Sequence, residues 1–131
     1  MLRIKAKSVY SPIKKTDGLR ILATRFRGRG LRSELYDVWM PNLAPSETLL
    51  RSGRSGKINW AEFTRQYRAE LFDSGNIDGK NLLIKNRGQK FTLRLLQRLA
   101  EERPVSIMCH CAEQQKQCHR HRLARALNGK I

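Results

Sequence analysis

A chain of 131 residues lies near the commonest domain size and can bury one hydrophobic core, so a single domain over residues 1–131 is expected. Lys and Arg number 27 against 11 Asp and Glu, a formal net charge of +16, which points to phosphate-bearing partners, nucleic acid among them. The longest apolar runs fall far below the roughly 20 residues of a membrane span, and the charged stretch 1–7 lacks the apolar core of a signal peptide; no membrane partner and a cytoplasmic location are expected.

Residues 3–10 alternate Ile4, Ala6 and Ser8 with Lys5, Lys7 and Val9 and predict a strand ended by Ser11-Pro12. Lys15-Thr16-Asp17-Gly18 supplies turn chemistry before a second strand over 19–26, the two forming a hairpin or belonging to a wider sheet. Residues 27–30 read as a glycine-punctuated basic loop. The apolar stretch 35–39 declares neither type, the prolines and polar residues of 41–46 break it, and a short helix is expected over 47–51. Residues 52–56 read as a flexible basic loop with no reason to pack. Asn59, with Glu62 three residues on, caps a helix over 60–72 whose Trp60, Phe63, Tyr67 and Leu71 share a face assigned to the core rather than to base stacking.

Residues 75–79 form a turn cluster and 81–85 a short strand. A helix over 91–103 presents Phe91, Leu95, Leu96 and Leu99 and is stopped by Pro104. Residues 105–109 read as a buried parallel strand, and 117–127 as a last helix closed by Asn128-Gly129. Helix, strand, loop and helix in that order imply right-handed crossovers. The fold expected is α/β: one compact domain with a parallel or mixed sheet flanked by helices.

Every cysteine and histidine falls between Cys109 and His121: Cys109, His110, Cys111, Cys118, His119 and His121. Three cysteines in a reducing compartment argue against a disulfide framework and for thiols or a metal. Cys109 and Cys111 share a face if extended, and Cys118 meets that face if the intervening loop folds back. Three readings follow. In the first, Cys109, Cys111, Cys118 and His119 or His121 bind a tetrahedral metal, zinc being the ion such a set suits. In the second, the strand-loop-helix arrangement turns free N–H groups and the positive end of a helix dipole toward an anion, with His119, Arg120 and Arg122 adding donors; a thiol there has its pKa lowered, making Cys111 or Cys118 a nucleophile with His119 or His110 as base. In the third, the cysteines only pack and the basic helix is merely solvated.

The charge is uneven: residues 1–32 and 86–131 each hold ten Lys or Arg, against one and three acids, while 33–85 are balanced at seven and seven. A basic face follows if the two ends pack together. Arginine outnumbers lysine 17 to 10, and its planar fork suits bidentate phosphate contacts.

Taken together, Tyr10 with Asp17-Gly18-Leu19-Arg20-Ile21-Leu22, Arg25-Phe26-Arg27-Gly28-Arg29-Gly30, Trp39-Met40-Pro41-Asn42-Leu43-Ala44-Pro45-Ser46, Phe63 with Tyr67, Glu70 and Leu71, and residues 105–111 leading to Cys118-His119-Arg120 resemble the family called domain of unknown function 488, which includes YeaO-like proteins. The resemblance implies a compact α/β domain and supplies no reaction. It also implies that Arg25, Arg27 and the 39–46 segment gather near the 109–120 loop as a pocket. Two departures stand out: members commonly read Arg-Leu-Trp-Pro-Arg-Gly where this chain has residues 25–30, and the YeaO-like branch lacks the cysteines. The leading functional expectation is binding of a phosphate-bearing ligand or nucleic acid through Arg25, Arg27, Arg29, His119, Arg120 and Arg122. The alternatives are a thiol-dependent enzyme and a structural zinc domain for protein interaction.

Overall fold

A computed structural model of the chain describes residues 4–73, 75–78, 81–86 and 88–131, with side chains described outside 74–87. Four strands, β1 (Ile4–Ser8), β2 (Leu19–Leu22), β3 (Val38–Trp39) and β6 (Val105–Cys109), form a sheet in the order β1-β6-β2-β3. All its pairings are parallel, Ile107 lying between Ala6 and Ile21. The first two strands are therefore not a hairpin. β6 inserts between them, and its five residues are all buried, as expected of a strand covered on both faces.

The helices are α1 (Glu47–Arg54), α2 (Trp60–Phe72), α3 (Lys90–Glu102) and α4 (His119–Leu127). The main core joins Ile4, Ile21, Val105 and Ile107 of the sheet to buried residues of every helix, among them Leu49, Tyr67, Leu96 and Leu123. Each such side chain contributes about 1.5–3 kcal/mol by leaving water. A smaller cluster, Val9, Leu22, Leu31 and Met108, with Leu35 and Tyr36 packed on it, holds no residue from α1–α4. Alternating residues of β2 and β6 thus point to helices on one face and to connecting chain on the other.

Several sequence expectations shift. α1 starts at Glu47, capped by Ser46 through Leu49 N–H, and continues to Arg54, with Gly53 lying against Phe63, where an added Cβ would come within 2.8 Å of the ring. The stretch 52–56 therefore packs instead of floating free. In α3 the buried residues are Leu93, Leu96 and Ala100, while Phe91 and Leu95 stand exposed at 62% and 58%: the leucine-rich pattern offered two overlapping faces, and packing against α4 and β6 selected the other one. Residues 75–78 are a strand, β4 (Gly75–Asp78), paired antiparallel with β5 (Asn81–Asn86); residue 79 of the expected turn lies outside the described residues. The stretch 35–39 resolves into the end of a 3-10 turn, Ser33–Leu35, and the two residues of β3. No helix among the described residues is long and apolar enough to cross a membrane.

Candidate functional site

Parallel strands aim their carboxyl ends at one edge of the sheet, and the connections leaving that edge border the crevice where α/β proteins bind ligands. Here the connections after β2 and β6, together with the α1–α2 corner, enclose a cavity of about 660 Å³. Thr24, Arg25, Phe26 and Gly28 supply one wall; Gly53, Arg54, Ile58, Trp60 and Phe63 supply a second; Cys109, His110, Cys111, Gln115, Cys118 and His119 supply the third. Trp60 and Phe63 lie nearly parallel, ring centroids 5.3 Å apart, and make that wall flat and apolar.

The three cysteines meet. β6 ends at Cys109, the chain turns through 110–117, and Cys118 becomes the residue preceding α4. The three Sγ atoms lie within 4.8 Å of one another, Cys109 and Cys118 being 2.9 Å apart. Cys109 and Cys118 are buried and Cys111 is half-buried. The neighbouring thiols of Cys109 and then Cys118, with the Arg120 guanidinium behind them, hold the Cys111 thiol well below the usual thiol range against the opposing effect of burial. Cys109 and Cys118 are pushed up, chiefly by hydrogen bonding to neighbouring thiols and by burial. Within this set of three thiols the ionised form is favoured at Cys111, the sulfur nearest solvent, and disfavoured at its two buried neighbours.

Arg120 is fully buried at 0% exposure and holds the returning loop together. Its NH1 donates to the Cys111 carbonyl at 2.9 Å and to Cys109 Sγ at 3.1 Å. Its NH2 donates to the Ala112 carbonyl at 2.9 Å and to that of Glu113 at 3.2 Å. Two further groups close the loop: His121 Nε2 meets the Gln115 carbonyl at 3.1 Å, and the Glu113 carboxylate accepts from Ser8 N–H and Ser11 Oγ. His119 bonds the Ala23 carbonyl through Nε2, which places the hydrogen there and leaves Nδ1 as the acceptor. Desolvation by burial lowers the His119 pKa and favours the neutral ring. Its Nδ1 lies 4.0 Å from Cys118 Sγ, outside the compact three-sulfur set.

The structure thus brings together Cys109, Cys111, Cys118, His119, His110 and Arg25, and sets the other named residues elsewhere. Arg27, Arg29, Arg120 and Arg122 do not line this cavity. Arg120, expected as an anion contact, faces backbone carbonyls, because a buried guanidinium must satisfy its donors where it lies. Arg27 reaches Tyr36 Oη at 2.9 Å, and Arg29 is exposed. Arg25 borders the cavity while donating to the Ala44 and Pro45 carbonyls at 2.9 and 3.0 Å. The 39–46 segment braces that wall from behind, with Trp39 Nε1 donating to the Thr24 carbonyl at 2.8 Å, and does not line the cavity. The α1–α2 corner was missed by sequence reasoning; its signal was Gly53 ahead of Trp60 and Phe63, a small residue whose backbone lies against the Phe63 ring.

The three sulfurs could hold a metal ion, and no ligand identity follows from the arrangement. Comparison with known proteins agrees with the resemblance in the motifs. The chain is 33% identical over 94 residues to the uncharacterized protein YeaO of Escherichia coli (strain K12), covering 70% of this chain and 81% of that protein. Uncharacterized proteins of Mycobacterium bovis and Mycobacterium tuberculosis are each 31% identical over 74 residues, 55% of this chain and 63% of theirs. No solved structure matches it. The family model for DUF488-N3a, described as the active DUF488-N3 subclade, matches residues 4–130, and the chain belongs to that family.

Proposed function

We propose that the chain is a thiolate-dependent protein that takes a small molecule into the crevice at the carboxyl ends of β2 and β6 and presents Cys111 to an electrophilic centre on it. The observation that carries this reading is the sulfur triad: one half-buried thiol on the cavity wall with two buried ones behind it, the three sulfurs within 4.8 Å of one another. A thiolate, not a thiol, is the nucleophile, and here a lowered thiol pKa supplies it in place of an adjacent base. In the step itself Cys111 Sγ gives its electron pair to the electrophilic atom. The leaving group departs with its bonding pair and takes a proton from water at the open mouth. The Trp60–Phe63 wall suits a flat apolar portion of the ligand, and a volume of about 660 Å³ accommodates a molecule of ordinary metabolite size.

Two rival readings have less behind them. A structural zinc takes four ligands, and the set found among the described residues holds three sulfurs, with His119 Nδ1 4.0 Å from Cys118 Sγ. A phosphate in this crevice would have Arg54 on one wall but the Cys111 sulfur on another, with Arg25 and Arg120 already committed to carbonyls.

The test is iodoacetamide labelling of the native protein between pH 5 and 7, mapped by mass spectrometry. Cys111 labels rapidly, Cys109 and Cys118 stay protected, and Cys111→Ser abolishes the fast phase. A Cys111 that labels no faster than a free thiol, or three thiols that react only on unfolding, would overturn the proposal. Protection of all three by added zinc, with stoichiometric zinc retained on dialysis, would move the assignment to the metal.

A further inference from the structure

Away from the cysteines, α2 and α4 pack against each other and leave between them a groove of about 400 Å³ lined by Arg65 and Arg68 from α2 and Arg122 and Arg125 from α4. Within each helix the two arginines are three residues apart and so share a face. No carboxylate lines the groove; its remaining walls are Thr64, Tyr67, Leu71, Phe72 and Ala126. Among the described residues, Arg65 has an acidic partner, Glu62, with Nε to Oε2 at 2.9 Å, while none is recorded for Arg68, Arg122 or Arg125. The Arg68 guanidinium rests 4.9 Å over the Phe72 ring, which stacks its face and leaves its edge donors free.

Four guanidiniums converging on one concavity repel one another, and an entering polyanion relieves that repulsion. All four are arginine although the chain has 10 lysines, and the planar fork matches phosphate oxygens bidentately. The net charge of +16 adds long-range attraction. We propose that this groove grips the phosphate backbone of a nucleic acid. Tyr67 Oη is already committed to the Leu43 carbonyl, so Thr64 and the four arginines are the groove's polar contacts; guanidiniums spent on phosphate carry no sequence information, and binding is independent of sequence. Neither the residues nor the binding event is shared with the thiolate site.

The experiment is fluorescence anisotropy of two short labelled single-stranded oligonucleotides of unrelated sequence, titrated with the intact protein over a series of KCl concentrations. Both bind with similar affinity, and log K falls linearly with log salt. Arg122→Gln with Arg125→Gln, and separately Arg65→Gln with Arg68→Gln, each weaken binding about tenfold and shallow the salt slope by about 1–2. Circular dichroism checks each fold, and if one pair unfolds the pair on the other helix decides. Arg27→Gln with Arg29→Gln removes the same charge outside the groove and leaves affinity within about twofold. Absence of binding at the lowest salt, an equal loss in the Arg27/Arg29 control, or displacement by polyglutamate as effective as by unlabelled oligonucleotide overturns the proposal. Cys111→Ser retains full binding; its loss would assign the contact to the crevice instead and overturn the groove.

Discussion

The Arg120 guanidinium reaches carbonyls of Cys111, Ala112 and Glu113 from within the core, so a charge that looks functional in the sequence is structural in the fold. A buried cation is tolerable only when it is well compensated, and here NH1 and NH2 are met by a loop that would otherwise leave its carbonyls unpaired, Nε alone lacking a partner. Lysine carries the same charge but three donors on a flexible stem in place of a planar fork. Arg120→Lys should therefore lower stability by about 2–4 kcal/mol and expose Cys109 and Cys118 to alkylation in the folded protein. Urea unfolding and native-state labelling would check it; a variant with unchanged midpoint and protection would show that the fork is dispensable.

At the level of elements, the Leu43-Ala44-Pro45-Ser46 stretch works as a bracket. Tyr67 Oη donates to the Leu43 carbonyl at 2.5 Å, Arg25 to those of Ala44 and Pro45, and the Glu70 carboxylate accepts from Ser46 N–H at 2.8 Å. The tetrapeptide and its distant companions Arg25, Tyr67 and Glu70 are thus one hydrogen-bonded unit tying α2 to the end of β2. A second junction sits at Gly18, with φ +64° and ψ −133°, where an added Cβ would lie 2.0 Å from the Pro104 carbonyl oxygen. That carbonyl accepts from Leu19 N–H at 2.9 Å, which starts the pairing of β2 with β6. Gly18→Ala combines disallowed backbone with a clash at this start point and should cost about 2–4 kcal/mol. Denaturant midpoints would measure it, and a loss under about 0.5 kcal/mol would mean that the junction yields without strain.

For the molecule as a whole, one carboxylate keeps the basic end in register. Asp17, 1% exposed, receives Lys7 Nζ at 2.8 Å and Lys5 Nζ at 3.0 Å beneath β1. Burial alone would raise its pKa, but hydrogen bonds from Lys7, Lys14 N–H and Lys5 outweigh this and hold it below the usual carboxylate range. A pKa lower folded than unfolded contributes stability that is complete above the unfolded value of about 3.9 and is lost as pH falls through the folded one. Stability should therefore fall steeply below about pH 4, the more so because protonating carboxylates adds to a charge already at +16. Asp17→Asn should lose about 3–5 kcal/mol at neutral pH by stranding Lys7 and should flatten the acid limb. Parallel acid titrations followed by circular dichroism would test this, and identical acid limbs would remove Asp17 from the account.

Much of the fold was legible in the residues themselves. β6 and α2 were recognised at the boundaries observed, because an apolar run and a capped 3.6-residue repeat carry their own signal. The cysteine-histidine cluster, the basic balance and the family were readable for the same reason: they depend on which residues are present and in what order. Partnership across the chain was not readable. The insertion of β6 between β1 and β2 joins residues about a hundred positions apart, and the choice of face in α3 depended on what packed against it. Nor could the chain alone show which cations were free: Arg120 and Arg25 are held by carbonyls, Asp17 takes two lysines and Glu62 takes Arg65, while Arg68, Arg122 and Arg125 have no carboxylate partner among the described residues. Charge type is a property of sequence. Whether a charge faces a ligand or the protein's own backbone depends on where burial forces its donors to find partners, and only the tertiary structure decided that.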